Sequence, residues 1–182
     1  MASTMGNSWH RSSARPGGGS GNGGFTLVEL ITAVAVLAVL VALAVPNFND
    51  ATLSARLNGF ANSLVASAQV ARSEAIKRNS TITLCASSDG ATCAASGGWE
   101  QGWVVLTDAP AVLQVQQPLP PEFKVTQTGG TADVTFPGTV VGTTAATLTV
   151  CRSTPVGSEE RVVTISGTGA AYVTITTTGT CS

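Results

Sequence analysis

Glu29 is a carboxylate placed where water should be absent. It lies in the run from Phe25 to Val45, in which Thr26, Glu29 and Thr32 are the only polar side chains. A helix needs about 20 residues of this kind to cross the hydrocarbon core of a bilayer. A charge inside that core costs on the order of 3 kcal/mol even on lenient scales, so it calls for a partner. Cutting the chain after Gly24 would supply one, because the freed amine of Phe25 stands one helical turn from Glu29. Carboxylate and ammonium attract far more strongly in a low dielectric than in water, and either left alone there is expensive. The pair can close within one subunit or between neighbours. Between neighbours it would make Glu29 a docking and register device for helices assembling side by side.

An ordinary signal peptide is the competing reading. Arg11 and Arg15 would be its basic segment and Ala42-Leu43-Ala44 its cut site. Against it, the apolar run is longer than the usual core, and an acidic residue inside such a core is unfavourable.

No other group of residues reads as catalytic. The single histidine, His10, precedes the cut, so the processed chain has no imidazole for Ser-His or Cys-His chemistry. Once Arg11 and Arg15 are removed, seven basic residues face ten acidic ones, a net charge of −3. That balance argues against a general polyanion-binding surface, whose affinity comes from Lys and Arg. The four cysteines, Cys85, Cys93, Cys151 and Cys181, read as disulfides in an exported chain. Three connectivities are open. We prefer Cys85 with Cys93, closing a Gly/Ser-rich loop, and Cys151 with Cys181, stapling the tail to the sheet. No pair has C-x-x-C spacing and no histidine follows the cut, so we expect no metal, no cofactor and no enzymatic activity.

These residues need elements to position them. Pro46 closes the apolar run and, lacking an N–H, kinks or loosens a helix there. Beyond it Leu53, Leu57, Phe60, Leu64, Ala68, Ala71 and Ala75 recur at steps of three and four, the apolar stripe of an amphipathic helix reaching about Arg78. Gly59 weakens it by about 1 kcal/mol relative to Ala. Arg72, Lys77 and Arg78 crowd its end, where cations suit the helix dipole.

After Asn79 the pattern becomes β-rich. Thr81–Cys85 starts a strand, Ser87–Gly98 is a loop holding Cys93, and Trp99–Leu106 leads into a second strand. Phe123–Thr128, Val134–Phe136, Thr147–Cys151, Arg161–Ile165 and Tyr172–Thr176 are further strand candidates, rich in β-branched residues and bounded by Gly and Pro. Gln116–Pro121, with three prolines, is a connection or an edge. Trp99 and Trp103 read as core.

The sum is an α+β fold: a long N-terminal helix packed on antiparallel sheets. Residues 1–24 form a Ser/Gly-rich leader whose positive charge suits the cytoplasmic side of a membrane. Residues 25–45 are the membrane half of the helix, 46–79 its amphipathic half, and 80–182 the β-rich domain.

Gly24-Phe25-Thr26-Leu27-Val28-Glu29-Leu30, the apolar run and Pro46 together resemble the processing site and stem of type IV pilins and type II secretion pseudopilins. A second region narrows the likeness. Arg72-Ser73-Glu74-Ala75-Ile76-Lys77-Arg78-Asn79, Leu84-Cys85, Gly98-Trp99-Glu100-Gln101-Gly102-Trp103 and Asp108 resemble the GspH/FimT family of minor pilins and pseudopilins. The resemblance implies that a prepilin peptidase cuts after Gly24 and methylates the Phe25 amine. It further implies extraction from the bacterial inner membrane, where the β domain is periplasmic, into a filament of other pilins or pseudopilins. Two systems remain open, a type IV pilus, toward which we lean, and a type II secretion machine. A third reading, DNA capture, draws on a Gly-Arg-x-Arg motif in some FimT-like members. The matching place is Gly169-Ala170-Ala171-Tyr172, which lacks both arginines, so we expect no DNA binding.

Overall fold

The structure, a computed structural model, describes residues 24–109, 111–128 and 133–179. The leader up to residue 23, with Arg11, Arg15 and His10, lies outside them, as does Cys181. The chain divides into two units, the first ending at Leu43 and the second beginning at Ala44, and helix α1 (Leu27–Arg78) contributes to both.

In the first unit, α1 starts where Thr26 caps it. The Thr26 Oγ1 accepts the Glu29 backbone N–H at 3.2 Å, and the Thr26 carbonyl accepts that of Leu30 at 3.1 Å. Thr26-Leu27-Val28-Glu29 has the spacing of a capping box, with the acid at the third helical position. Thr32, the other polar residue of the run, returns its hydroxyl to the Glu29 carbonyl at 3.0 Å, so that donor is satisfied without water. The most apolar 18-residue window of α1 has a mean hydropathy of 2.8, long and apolar enough to cross a membrane.

In the second unit, Leu57, Ala61, Leu64, Ala68, Ala71 and Ala75 of α1 are buried. The four alanines are small enough to let the helix backbone lie close over strands. Phe60 meets Phe123 edge-on, with ring centroids 4.9 Å apart. The helix ends with Asn79 in the left-handed region (φ 48°). The Asn79 N–H bonds the Ile76 carbonyl and the Ser80 N–H the Ala75 carbonyl, the paired closure of a Schellman motif. Lys77 and Arg78 lie in the last turn, both paired to Glu74 at 3.0 and 2.9 Å. Those two donors, Lys77 first, hold the Glu74 carboxyl below its usual range.

Eight strands form two antiparallel sheets. β1 (Ile82–Ala86), β2 (Trp103–Thr107), β3 (Val112–Gln116) and β5 (Asp133–Phe136) make one, in the order β3-β2-β1-β5. β4 (Phe123–Thr128), β6 (Ala146–Arg152), β7 (Glu160–Ile165) and β8 (Ala171–Thr176) make the other, in the order β4-β6-β7-β8. One apolar cluster joins the helix stripe to the inner faces of both sheets, among them Ile82, Leu84, Val105, Phe136, Leu148, Val150, Val163 and Ile165.

One element differs from expectation. β3 is a strand that the pattern does not announce. It is an edge strand, bulged against β2 between Val105 and Leu106, and its half-exposed valines show no clean alternation. The proline-rich segment begins as β3 ends and carries the chain to the edge of the other sheet. Trp99–Gln101 is a single 3₁₀ turn leading into β2.

Candidate functional site

Gly24 and Phe25 stand just before α1, and Glu29 lies in its first turn. Gly24 has no atom within 4 Å of where a Cβ would stand, so nothing around it requires a glycine for packing. Phe25 is 84% exposed, and Leu27, Val28, Leu30, Ile31, Val34, Val36, Leu37, Val39, Leu40, Val41 and Leu43 are all more than half exposed. An apolar surface of this extent, without a single buried residue in its apolar window, is made to be covered by lipid or by other helices. Glu29 sits within it. Its backbone N–H is capped by Thr26, but among the described residues its carboxylate has no hydrogen bond or ion pair. An acid at this position also suits the positive end of the helix dipole. Glu29 therefore has a local reason to exist as well as the proposed intermolecular one, and only a charge-removing, cap-preserving substitution separates them. Pro46 lies within α1, and its side chain is outside the described residues.

The cysteines belong to the second unit. Cys85 and Cys93 are bonded, with Cα atoms 5.5 Å apart. Cys151 is also disulfide-bonded, and the expected partner Cys181 lies outside the described residues. The Asp133 carboxylate comes within 4.8 Å of the sulfurs of Cys85 and Cys93. Both sulfurs are consumed by their bond, so the trio cannot ligate a metal as thiolates do.

Inside the disulfide loop, Asp89 is the organiser. Its carboxylate accepts the backbone N–H groups of Ala91 and Thr92 at 2.8 and 2.9 Å and the hydroxyls of Thr92 and Ser87 at 2.7 and 2.9 Å. These donors, the Thr92 backbone N–H first, hold its carboxyl well below the ordinary value of 3.8. A depressed folded-state value means that the contribution is fully present above about pH 4 and is lost as pH falls through the folded value. Acidification is thus expected to loosen this loop, and Asp89→Asn to loosen it at neutral pH. Faster amide exchange at Ala91 and Thr92 in the variant is the check; unchanged exchange contradicts it.

Gly98 to Trp103 is a structural corner. Trp103 is fully buried, and its Nε1–H donates to Ser67 Oγ of α1 at 2.9 Å; Ser67 in turn donates to the Ser63 carbonyl. The Trp99 Nε1–H donates to Gln127 Oε1 at 2.9 Å. The Glu100 carbonyl accepts the Leu119 N–H at 2.9 Å, tying the turn to the proline-rich connection. Gly102 has φ 107°, and a Cβ there would stand 2.6 Å from the Gln116 carbonyl oxygen. Both the backbone and its neighbour exclude a side chain, so Gly102→Ala is expected to cost more than about 1 kcal/mol. A denaturant midpoint equal to the parent's would contradict that. Both tryptophans are therefore core, as their apolar setting implies, and neither is left free for a ligand.

The segment Gly169-Ala170-Ala171-Tyr172 contributes no cationic side chain itself, and Arg72 of α1 lies beside it. Gly169 (φ 75°) packs on Arg72, whose Cδ would lie 3.1 Å from an added Cβ. Arg161 is buried and bonded to Asn58, Glu159 and the Glu160 carbonyl. Arg152 is paired with Asp50 at 3.0 Å. Glu160, also buried, accepts the hydroxyls of Thr176 and Thr178 at 3.2 and 2.9 Å. These charges fasten the second sheet to the helix and to the tail.

Comparison with known proteins agrees with this architecture. A family model described as type II transport protein GspH matches residues 61–169, and one described as the prokaryotic N-terminal methylation motif matches residues 19–45. Two crystal structures of the type IV minor pilin FimU from Pseudomonas aeruginosa strain PAO1 share the fold. Their TM-scores are 0.51 and 0.54 at 21% identity, covering 64% and 68% of this chain and 91% of each of theirs. No curated protein is significantly similar in sequence. The GspH model accounts for more than half of the chain and meets the N-terminal motif, the apolar helix and the antiparallel sheets on the same molecule, and the chain therefore belongs to the GspH/FimT family of type IV pilin-like proteins, the family of minor pilins and pseudopilins.

Proposed function

We propose that this chain is a minor, non-enzymatic subunit that enters a type IV pilus and primes or caps it. The observation that carries this reading is Glu29, a carboxylate with no partner among the described residues, one turn from Phe25 in an exposed apolar helix of a pilin-like chain. Prepilin peptidase cuts after Gly24 and methylates the new amine of Phe25. The stem holds the subunit in the bacterial inner membrane as a single span, with residues 80–182 in the periplasm. Burying that stem among the stems of other pilins replaces lipid contacts, and Glu29 pairs with a Phe25 amine, its own or a neighbour's. Pro46 absorbs the bend this packing requires, and Cys151 pairs with Cys181.

The likeness to the minor pilin FimU favours the pilus. The GspH model, named for type II transport, favours the corresponding pseudopilin of a secretion machine. Deleting the chain decides between them. Loss of surface pili or twitching with normal exoprotein release supports the pilus; the reverse assigns it to secretion.

A further inference from the structure

We infer that the free edge of β8 takes up an extended, uncharged segment of a neighbouring pilin-like subunit as a fifth strand of the second sheet. The inference rests on the proposed assembly into a filament, and all its residues belong to the second unit.

A sheet edge is a row of unpaired N–H and C=O groups, and proteins shield such rows. Among the described residues, three of the four sheet edges are shielded. At β3 the bulge opposite Val105 and Leu106 breaks the ladder, and prolines follow the strand. At β4 the Val125 N–H donates to the Glu100 carboxylate of the 3₁₀ turn at 3.4 Å, and the Phe123 N–H to the Pro120 carbonyl at 3.0 Å. At β5 the Thr135 carbonyl accepts the Thr144 N–H at 3.0 Å, and the two threonine hydroxyls meet at 2.7 Å.

β8 has none of these devices. It pairs with β7 without a break over its six residues, and it holds no proline, glycine or charge. The hairpin fixes which way its backbone points. The Ser166 N–H donates to the Ala170 carbonyl at 2.9 Å, which makes Ser166 and Ala170 a bonded pair. Bonded and non-bonded pairs alternate along an antiparallel ladder, so Tyr172, Thr174 and Thr176 bond β7. Ala171, Val173 and Ile175 therefore turn their N–H and C=O groups to the free edge, where no hydrogen bond from another described residue meets them.

The side chains define the occupant. Ala171 and Val173 pack against the core on the α1 side of the sheet, and Ile175 continues their row but is 64% exposed. No residue from Val162 to Ser182 is charged. Arg72 stands by the first residue of the strand, and Arg161, across from Ile175, is buried and bonded. A charged partner side chain beside Val173 or Ile175 would meet no free counter-charge, whereas an apolar one would cover Ile175 and extend the row. In strand addition main-chain bonds supply affinity, and alternate side chains supply the choice of partner.

Proline suits an edge position whose N–H faces outward. Ile175→Pro therefore removes an outward donor and sets a ring against the incoming strand, while the bonds to β7 remain. Ile175→Ala removes the side chain and keeps the donor. Both are made in the full chain, and the ratio of subunit in sheared filaments to subunit in the membrane fraction is measured, with the melting temperature in detergent as a check on the fold. Ile175→Pro is expected to lower the ratio about tenfold or more at an unchanged melting temperature, and Ile175→Ala to stay within about twofold of the parent. In the unaltered chain, amide exchange across Tyr172–Thr176 should be slower in filaments than in the solubilised subunit. Should Ile175→Pro melt lower, the exchange result alone decides. Equal loss in both variants, unchanged exchange, normal incorporation of Ile175→Pro, or a dimer of this chain in detergent that Ile175→Pro dissociates overturns the inference. A parent chain absent from filaments removes the assembly reading and the inference with it.

Discussion

Glu29→Gln is expected to abolish incorporation into the filament while leaving membrane insertion and the fold of residues 44–182 intact. The cap is the Thr26 hydroxyl accepting the backbone N–H of residue 29, which glutamine keeps, so the start of α1 survives. Only the charge is lost. If the native carboxylate meets a Phe25 amine among packed stems, its removal leaves an ammonium uncompensated in apolar surroundings. Breaking one side of a buried pair costs about 3–5 kcal/mol, which lowers occupancy of each subunit contact by more than a hundredfold. Glu29→Ala should do the same. The readout is the ratio of subunit in sheared filaments to subunit in the membrane fraction. Normal incorporation of Glu29→Gln would reduce Glu29 to a helix-capping residue and remove the proposed assembly role.

The second large effect is expected at Trp103. Its ring is fully buried under α1, and its only polar atom is satisfied by Ser67. Trp103→Ala opens a large cavity, and aromatic-to-alanine changes in cores cost about 3–5 kcal/mol. In a domain of this size each kcal/mol lowers the melting temperature by about 2–4 °C, so a fall of roughly 6–20 °C is expected. Ser67→Ala is the subtler companion. It leaves the indole N–H buried without its acceptor, at about 1–3 kcal/mol. Trp103→Phe removes the donor, so Ser67→Ala should cost less in that background than alone. A double-mutant cycle on the full chain in detergent measures the coupling, and strict additivity would mean that this hydrogen bond does not contribute.

The sequence announces what depends on local pattern. Steps of three and four from Leu53 to Ala75 mark the buried helix face, and the cations with Asn79 mark its end, because both signals lie within a few residues of what they describe. The strands from Phe123 onward are legible through β-branched residues between glycines and prolines. The Cys85–Cys93 bond is one of three open pairings, preferred because it closes a short Gly/Ser-rich loop, and the structure has it. β3 is not legible because an edge strand beside prolines owes its pairing to β2 rather than to its own alternation. The division into two sheets escapes for a related reason: β1 pairs with β5, and β4 with β6, across long stretches of chain that no window spans. The burial of Arg161 and Glu160 is not legible, since Asn58, Thr176 and Thr178 reach them only in the folded chain. At the site itself, Phe25 and Glu29 stand out by chemistry. Thr26 is legible as a cap from its place three residues before Glu29.

The Glu29 pairing requires an amine on Phe25. Mass-spectrometric analysis of the N-terminal peptide, on chain recovered from cell membranes and sheared filaments, tests that requirement most directly. The account predicts that the mature chain begins at Phe25 and carries a methyl group on its amine. A chain that begins at Val45, or that keeps Met1, would contradict it, because Glu29 would then have been removed or would have no terminal amine to meet.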